Sequence, residues 1–472
     1  MSWETVIGLE VHVQLATRTK MFCGCPTSFG DDPNTNVCPV CLGLPGALPV
    51  PNRTAIRLAL RAALALDFTV HPTSIFARKN YFYPDLPKGY QITQFDRPLA
   101  TQGRLSFASA DGESVVVSIT RLHLEEDAGK SIHDRLPGKT AVDCNRAGVP
   151  LVEIVTEPVI DSPANARAYL VELKRILQYL EVSDCNMEEG HLRVDANLSV
   201  RPAGSSGLGV KQEVKNMNSF ATVERALEEL RDLQVHTLEQ NAAVEQATYG
   251  AATSELRVMR SKEATHDYRY FPEPDLPPLV LPADWVDLEL ATIPELPAAK
   301  RDRFVTQYEV SAYDAQVLSA TPDLADYFEA VVTARAAAKT AANWVMGAVL
   351  RDAKESDGAL RVPPERLAEL IRLVADRTVS NQAAKQIFRA MTTDGDAPAV
   401  IAGRLGVLQV RDDSQLGSWV EAVLAAHPDH VGRFRGGEKK LLGFFMGRVM
   451  QESGGKADPK RVNEILREKL AP

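Results

Sequence analysis

An α+β chain, with a mixed, strand-rich body followed by helices alone, is what this sequence predicts, and three observations predict it. Strict apolar–polar alternation marks strands near residue 10 and again near residue 195. Pro272, Pro274, Pro277, Pro278, Pro282, Pro294 and Pro297 crowd one stretch and mark a stiff, extended connector at a boundary. From about residue 298 the apolar spacing becomes helical, with Ala-rich runs such as Tyr327 to Val349.

The first strand follows from Leu9, Val11, Val13 and Leu15, which alternate with Glu10, His12 and Gln14. A period of two sends alternate side chains to opposite faces, so one face is apolar and the other carries Glu10 and His12. The run His191 to Val200 repeats the pattern: Leu192, Val194, Ala196, Leu198 and Val200 face a core, and His191, Arg193, Asp195, Asn197 and Ser199 face away. Between them, Ser162-Pro163 supplies an N-cap and a proline at the first helical position. Tyr169, Leu170, Leu173, Ile176, Leu177 and Leu180 then fall at helical spacing, and Val223, Leu227, Leu230 and Leu233 form a second amphipathic run. Thr392 to Pro398 reads as a loop, followed by short helices and a glycine-punctuated basic tail.

At 472 residues the chain exceeds a single core and predicts two or three domains. A composition 45% hydrophobic and 24% charged is that of a globular protein and excludes extensive disorder. The longest uncharged stretch, residues 33–52, is broken by Pro33, Pro39, Pro45, Pro49 and Pro51 and cannot span a membrane as a helix, so a cytoplasmic protein is expected. A net charge of −9 excludes a chain that coats nucleic acid indiscriminately. Residues 431–472 nevertheless carry ten Lys/Arg against five Asp/Glu, a basic tail able to steer a polyanion to one end of an acidic body.

Four of the six cysteines lie within nineteen residues, as Cys23-x-Cys25 and Cys38-x-x-Cys41. Two thiolate pairs on tight turns, with Gly24, Pro26, Pro39 and Gly43 shaping the knuckles, suit tetrahedral Zn²⁺. Four protein ligands leave no open position, which makes such a zinc structural.

Carboxylates and imidazoles gather on the predicted strand faces. Glu10 and His12 are ~7 Å apart along one face. Arg121, His123 and Glu125 alternate with Leu122 and Leu124, Asp195 lies on the polar face of its strand, and Glu153 interrupts the apolar run Leu151 to Val155. A carboxylate among apolar neighbours needs a partner if buried. Oxygen ligands from several strands with one imidazole suit Mg²⁺. The loop Phe76 to Gln91 adds Arg78, Lys79 and Lys88 among aromatics, a phosphate-holding and stacking combination. Neither a Gly-x-x-x-x-Gly-Lys-Ser/Thr loop nor a Gly-x-Gly-x-x-Gly signature stands out, so nucleotide binding would use another architecture.

Several segments resemble the B subunits of bacterial aspartyl/glutamyl-tRNA amidotransferases. They are Glu4 to Leu15, Arg78 to Gln91, Leu122 to Lys130, Asp143 to Glu153, Arg193 to Pro202, Glu213 to Ser219, Tyr268 to Asp275, Ala342 to Gly347 and Gly454 to Pro459. They follow in order along essentially the whole chain. The resemblance implies a cradle-like catalytic domain over 1–293 with a zinc-binding insert at 23–41. A helical domain over 294–400 and a small YqeY-like helical tail over 401–472 complete the plan. The archaeal E subunit, a relative, carries a large insertion that this chain lacks.

The resemblance also implies an ATP- and Mg²⁺-dependent ligase. The side-chain carboxylate of Glu-tRNA(Gln) or Asp-tRNA(Asn) is phosphorylated and then amidated with ammonia from a glutaminase A subunit, in a heterotrimer completed by a C subunit. On this reading Glu10, His12, Glu125, Glu153 and Asp195 hold Mg²⁺, and Lys79, Tyr81 and Lys88 contact ATP or the activated carboxylate. Arg193 is a phosphate ligand, and Cys23, Cys25, Cys38 and Cys41 match a zinc site present in some members only. Arg433, Arg435, Lys439, Lys440 and Arg448 are the tail's candidate tRNA phosphate contacts by charge. A non-catalytic, zinc-dependent tRNA-binding scaffold is the principal alternative, and a metal-dependent phosphate-ester hydrolase the other.

Overall fold

The computed structural model describes every residue except Met1, Ala110, 252–254, 262–266, Arg411 and Pro472. The chain divides into two compact units, Met1–Ala298 and Ala299–Pro472.

The first unit is built on a nine-stranded sheet. Its order is Arg257–Ser261, Ala247–Gly250, Gln212–Lys215, Leu192–Pro202, Trp3–Gln14, Pro150–Thr156, Ser114–Glu126, Ala100–Ala108 and Thr69–Val70. Neighbours are antiparallel except Gln212–Lys215 with Ala247–Gly250, which run parallel. The strand nearest the N-terminus is therefore central. Its register sets Glu10 opposite Val155 and Asp195, and His12 opposite Glu153 and Arg193. The alternation read from the sequence holds here: Leu9, Val11, Val13, Leu192, Val194, Ala196, Leu198 and Val200 are all buried in one core.

Three helices share that core: Arg53–Ala65, Pro163–Tyr179 and Phe220–Glu239. Ser162 caps the second through Asn165 N at 3.2 Å, with Pro163 at the first position as expected. In the third helix Val223, Leu227 and Leu230 are buried, but Leu233 turns outward. Gln234, seven residues after Leu227, takes the inward position and bridges Val200 N at 3.0 Å and Gln212 Oε1 at 2.9 Å. The helical period thus placed a polar residue inside, where it ties the helix to two strands.

The proline-rich stretch, read as a stiff, extended connector, is packed onto the first unit along its length. Phe271–Pro272 pairs with Phe76–Asn80, and Leu279–Val280 pairs with Thr73–Ser74. Leu276 and Leu281 enter the core, and Arg61 Nη1 donates to Thr292 Oγ1 at 2.9 Å, beside the helix Ala283–Ala291. Prolines cannot donate to a ladder, so they allow only two-residue edge pairings, and those pairings strap this stretch onto the first unit.

Helices make up the second unit, beginning with Pro297–Tyr308, and among its described residues extended pairing is limited to the isolated bridges Val379–Leu408 and Val410–Ala457. One apolar core spans Phe304 to Ala402 and another Leu416 to Leu470. Asn381–Met391 ends where the loop at Thr392 was read, and Pro398–Arg404 restarts the helical path.

Candidate active site on the polar face of the sheet

Because the helices occupy the apolar side, the opposite face of the four central strands is free to carry polar groups. Register brings Arg193, His12, Glu153 and His123 into one row across four adjacent strands. His12 Nε2 lies 3.5 Å from both Glu125 Oε1 and Glu153 Oε2. His123 Nε2 lies 3.2 Å from Glu153 Oε2 and 3.8 Å from Glu125 Oε2. Burial opposes a charge on His12, but the Glu153 hydrogen bond and the Glu125 and Glu153 charges outweigh it and push His12 up to about 9. Burial likewise penalises the Glu153 carboxylate, yet His123 and His12 hold it well below the usual range.

Glu10 and Asp195 face each other one step along the same sheet. Lys215 Nζ holds Asp195 at 2.8 Å and Glu213 at 3.1 Å, and Asn197 Nδ2 donates to Glu10 at 3.1 Å. Burial and the neighbouring charges of Glu153, Asp195 and Glu213 raise the Glu10 carboxyl. The five residues read as metal ligands therefore fall into two adjoining groups, His12 with Glu125 and Glu153, and Glu10 with Asp195.

Lys79 lies among aromatic rings, its Nζ 4.8 Å from the Tyr268 ring centre and 5.8 Å from that of Tyr81. Burial disfavours its charge, but Tyr270, Glu125 and Glu153 keep its pKa above the ordinary value. Tyr81 donates to Gln91 Oε1 at 3.3 Å, and burial raises its phenol. Arg193 Nη2 meets Asp127 Oδ2 at 3.0 Å. Lys88 is engaged by Glu126, which also accepts from Ile92 N at 2.9 Å, and lines a cavity of about 190 Å³ beside the cysteines. The tail cations are all exposed: Arg433 pairs with Glu438 at 2.8 Å, Arg435 donates to the Lys469 carbonyl, Lys439 stacks on Phe434 and Arg448 on Phe444. Lys440 adds a further exposed charge.

Sequence reasoning noticed His123 but gave it no role, and it passed over Glu126, Asp127, Lys215, Tyr268 and Tyr270. One signal was present. Glu125, Glu126 and Asp127 are consecutive, so a strand cannot send all three to one face, yet all are buried.

Two metal sites are geometrically possible. The four thiols of Cys23, Cys25, Cys38 and Cys41 lie within 4.8 Å of one another, a set able to hold zinc. Cys41 Sγ accepts from Cys38 N at 3.2 Å and lies 3.6 Å from Lys20 Nζ. Hydrogen bonding from Cys23, that backbone N–H and the Lys20 charge push the Cys41 thiol down to about 4 against the cost of burial. His12, Glu125 and Glu153 also offer three ligand atoms within 4.8 Å, a charge and size suited to one divalent cation. Buried His123 Nδ1 has no hydrogen-bond partner among the described residues, as befits a site completed by a further group.

Comparison with known proteins bears on the whole length. Residues 5–287 match the model of the GatB/GatE catalytic domain, and residues 326–470 match that of the GatB domain. The chain is 51% identical to the aspartyl/glutamyl-tRNA(Asn/Gln) amidotransferase B subunit of Moorella thermoacetica, covering all of both chains. It is 50% identical to the corresponding B subunit of Halorhodospira halophila, over all of this chain and 99% of the relative. It is 48% identical to that of Geobacter sulfurreducens, again over all of both.

Proposed function

The chain belongs to the family of aspartyl/glutamyl-tRNA(Asn/Gln) amidotransferase B subunits, and on that premise we propose that its first unit activates the side-chain carboxylate of Glu-tRNA(Gln) or Asp-tRNA(Asn) with ATP and amidates it. The observation that carries the proposal is the row Arg193–His12–Glu153–His123, in a chain similar to these subunits from end to end.

A carboxylate cannot shed oxide to an amine, so the reaction needs a leaving group. A carboxylate oxygen attacks the γ-phosphorus of ATP while the bond to ADP breaks, and ammonia then adds to the acyl carbon, losing a proton as phosphate departs. His12, Glu125 and Glu153 would hold Mg²⁺, with Glu10 and Asp195 beside them, and a bound Mg²⁺ would neutralise phosphate charge during transfer. Lys79 and Arg193 supply fixed positive charge at the edges of the acidic row, where phosphate oxygens gain negative charge. Lys88 contacts the nucleotide from the cavity side. Tyr81, Tyr268 and Tyr270 give a ring-lined wall that limits water at the reacting carboxyl.

The proposal includes a glutaminase A subunit that supplies the ammonia, a small C subunit, a structural zinc on the four cysteines, a tail that holds tRNA, and a cytoplasmic location. Among the described residues no helix is long and apolar enough to cross a membrane. The test is the chain co-expressed with A and C subunits and given ATP, Mg²⁺, glutamine and Glu-tRNA(Gln), with the amino acid released from tRNA then identified. ATP-dependent glutamine is expected. No conversion of Glu-tRNA(Gln) or Asp-tRNA(Asn) by a well-formed complex would overturn the proposal in favour of a tRNA-binding scaffold.

A further inference from the structure

The segment Asn343 to Gly347 takes no part in the reaction above, yet it forms one wall of a groove of about 790 Å³ in the second unit. That volume lies within the ~300–1,000 Å³ of small-molecule sites. We propose that this groove is a nucleotide site separate from the ATP-using centre, taking an aromatic base against Trp344 and its phosphate on Arg351, Lys385 and Arg389.

Three observations support it. First, the helical path through Trp344 is interrupted by a single π-helical turn, Val345–Val349. Such turns sacrifice regular hydrogen bonding and are frequent at functional sites. Second, Gly347 sits in that turn and lines the groove, and a Cβ there would meet nothing within 4 Å. A glycine inside a helix is less stable than an alanine would be. No packing neighbour accounts for it, whereas an unobstructed groove wall does. Third, Arg351, Lys385 and Arg389 are exposed and line the same groove, and none of them forms an ion pair or side-chain hydrogen bond among the described residues. Of the groove's acids, Asp352 is already taken by Arg361, which leaves Glu355 against three cations. The half-buried Trp344 ring rests on Phe388 at 5.9 Å between centroids, which fixes it as a stacking platform. A ring platform beside unpaired cations matches a base and its phosphate, free or unpaired within a bound RNA.

The experiment uses the full chain in its complex with two probes, a fluorescent N-methylanthraniloyl AMP and a deacylated tRNA transcript. Affinities are compared for wild type, Trp344→Leu and the surface variant Lys385→Ala/Arg389→Ala. A free-nucleotide site predicts that both variants lose about tenfold in AMP-probe affinity and keep tRNA affinity. An RNA-borne nucleotide predicts about tenfold weaker tRNA binding in both, with the salt dependence of binding reduced in the double variant only. Unchanged affinity for both probes in the double variant, which removes no buried group, would overturn the proposal. The readout is binding, so it is independent of whether the complex amidates tRNA.

Discussion

Gly43 to Ala is the substitution that best tests whether Lys88 serves the reaction. Gly43 has φ +67°, and a Cβ placed on it would overlap Lys88 Cγ and stand 3.1 Å from Lys88 Cβ and 3.2 Å from Lys88 Cα. The obstructed atoms are at the root of the side chain, so the lysine cannot swing clear and its backbone must give way. Gly46, in the same stretch, has φ +87° and nothing within 4 Å. Gly46→Ala therefore isolates the cost of a left-handed alanine, roughly 1–2 kcal/mol. Gly43→Ala adds overpacking of roughly 1–3 kcal/mol, for a total of about 2–5 kcal/mol. Opening the contact moves Lys88 by about 1 Å, and misplacement of a phosphate-holding group by that much lowers the rate about 100-fold. Urea unfolding of both variants would give the stability difference. ATP-dependent amidation by the reconstituted complex would give kcat and KM, with metal content measured alongside so that a lost metal is not mistaken for a displaced lysine. Equal destabilisation by the two variants would refute the contact. A destabilised Gly43→Ala with unchanged kcat and KM for ATP would refute a role for Lys88 in the reaction.

Three other expectations follow from the geometry. Glu10→Ala should abolish ATP-dependent activation while glutaminase activity of the complex persists, and full amidation by the variant would remove Glu10 from the site. Cys41→Ser should leave the purified chain without zinc and lower its unfolding midpoint, since Lys20 loses its sulfur partner, and metal content equal to that of wild type would count against the four-thiol site. Glu329 is held below the usual carboxylate range by Arg303, at 2.7 and 2.9 Å, and by Tyr308 at 2.8 Å. A lowered folded pKa means that its stabilisation is present above the unfolded value near 4.3 and is lost as pH falls through the folded one. Glu329→Gln should thus cost the chain on the order of 1 kcal/mol at pH 7 and progressively less below pH 4, and a pH-independent difference would contradict that origin.

What the sequence revealed and what it hid have separate physical causes. Alternation fixed the faces of Leu9 to Leu15 and Leu192 to Val200, because a buried strand face tolerates no error of one residue. It could not say which strands are neighbours. The pairing of His12 with Glu153 joins residues 141 apart, and only that long-range register converts four polar faces into one row. Hence Glu10, His12, Glu125, Glu153 and Asp195 were legible as candidates, whereas their division into two groups was not. Lys215, which holds Asp195 of the second group, sits on a four-residue strand, Gln212–Lys215, too short to show a period. The packing of the proline stretch was hidden for a related reason: composition reports that no regular ladder forms, and says nothing about short pairings made one at a time.

Lys20 shows how burial adds an argument that spacing alone cannot supply. Spacing made the four cysteines a zinc candidate. In the fold Lys20 is completely buried, and its ammonium reaches the Asn36 carbonyl at 2.6 Å, the Cys144 carbonyl at 3.3 Å and Cys41 Sγ at 3.6 Å. No carboxylate appears among these contacts. A buried ammonium without an anion is costly, so the negative charge belongs on Cys41, consistent with its lowered pKa. Four thiolates around a divalent cation would carry net charge −2, and a single buried lysine offsets half of it. Lys20, Cys41, Gly43, Lys88 and Glu126 line the same small cavity, so the electrostatics that ready the cysteines for a metal and the packing that positions Lys88 share one wall.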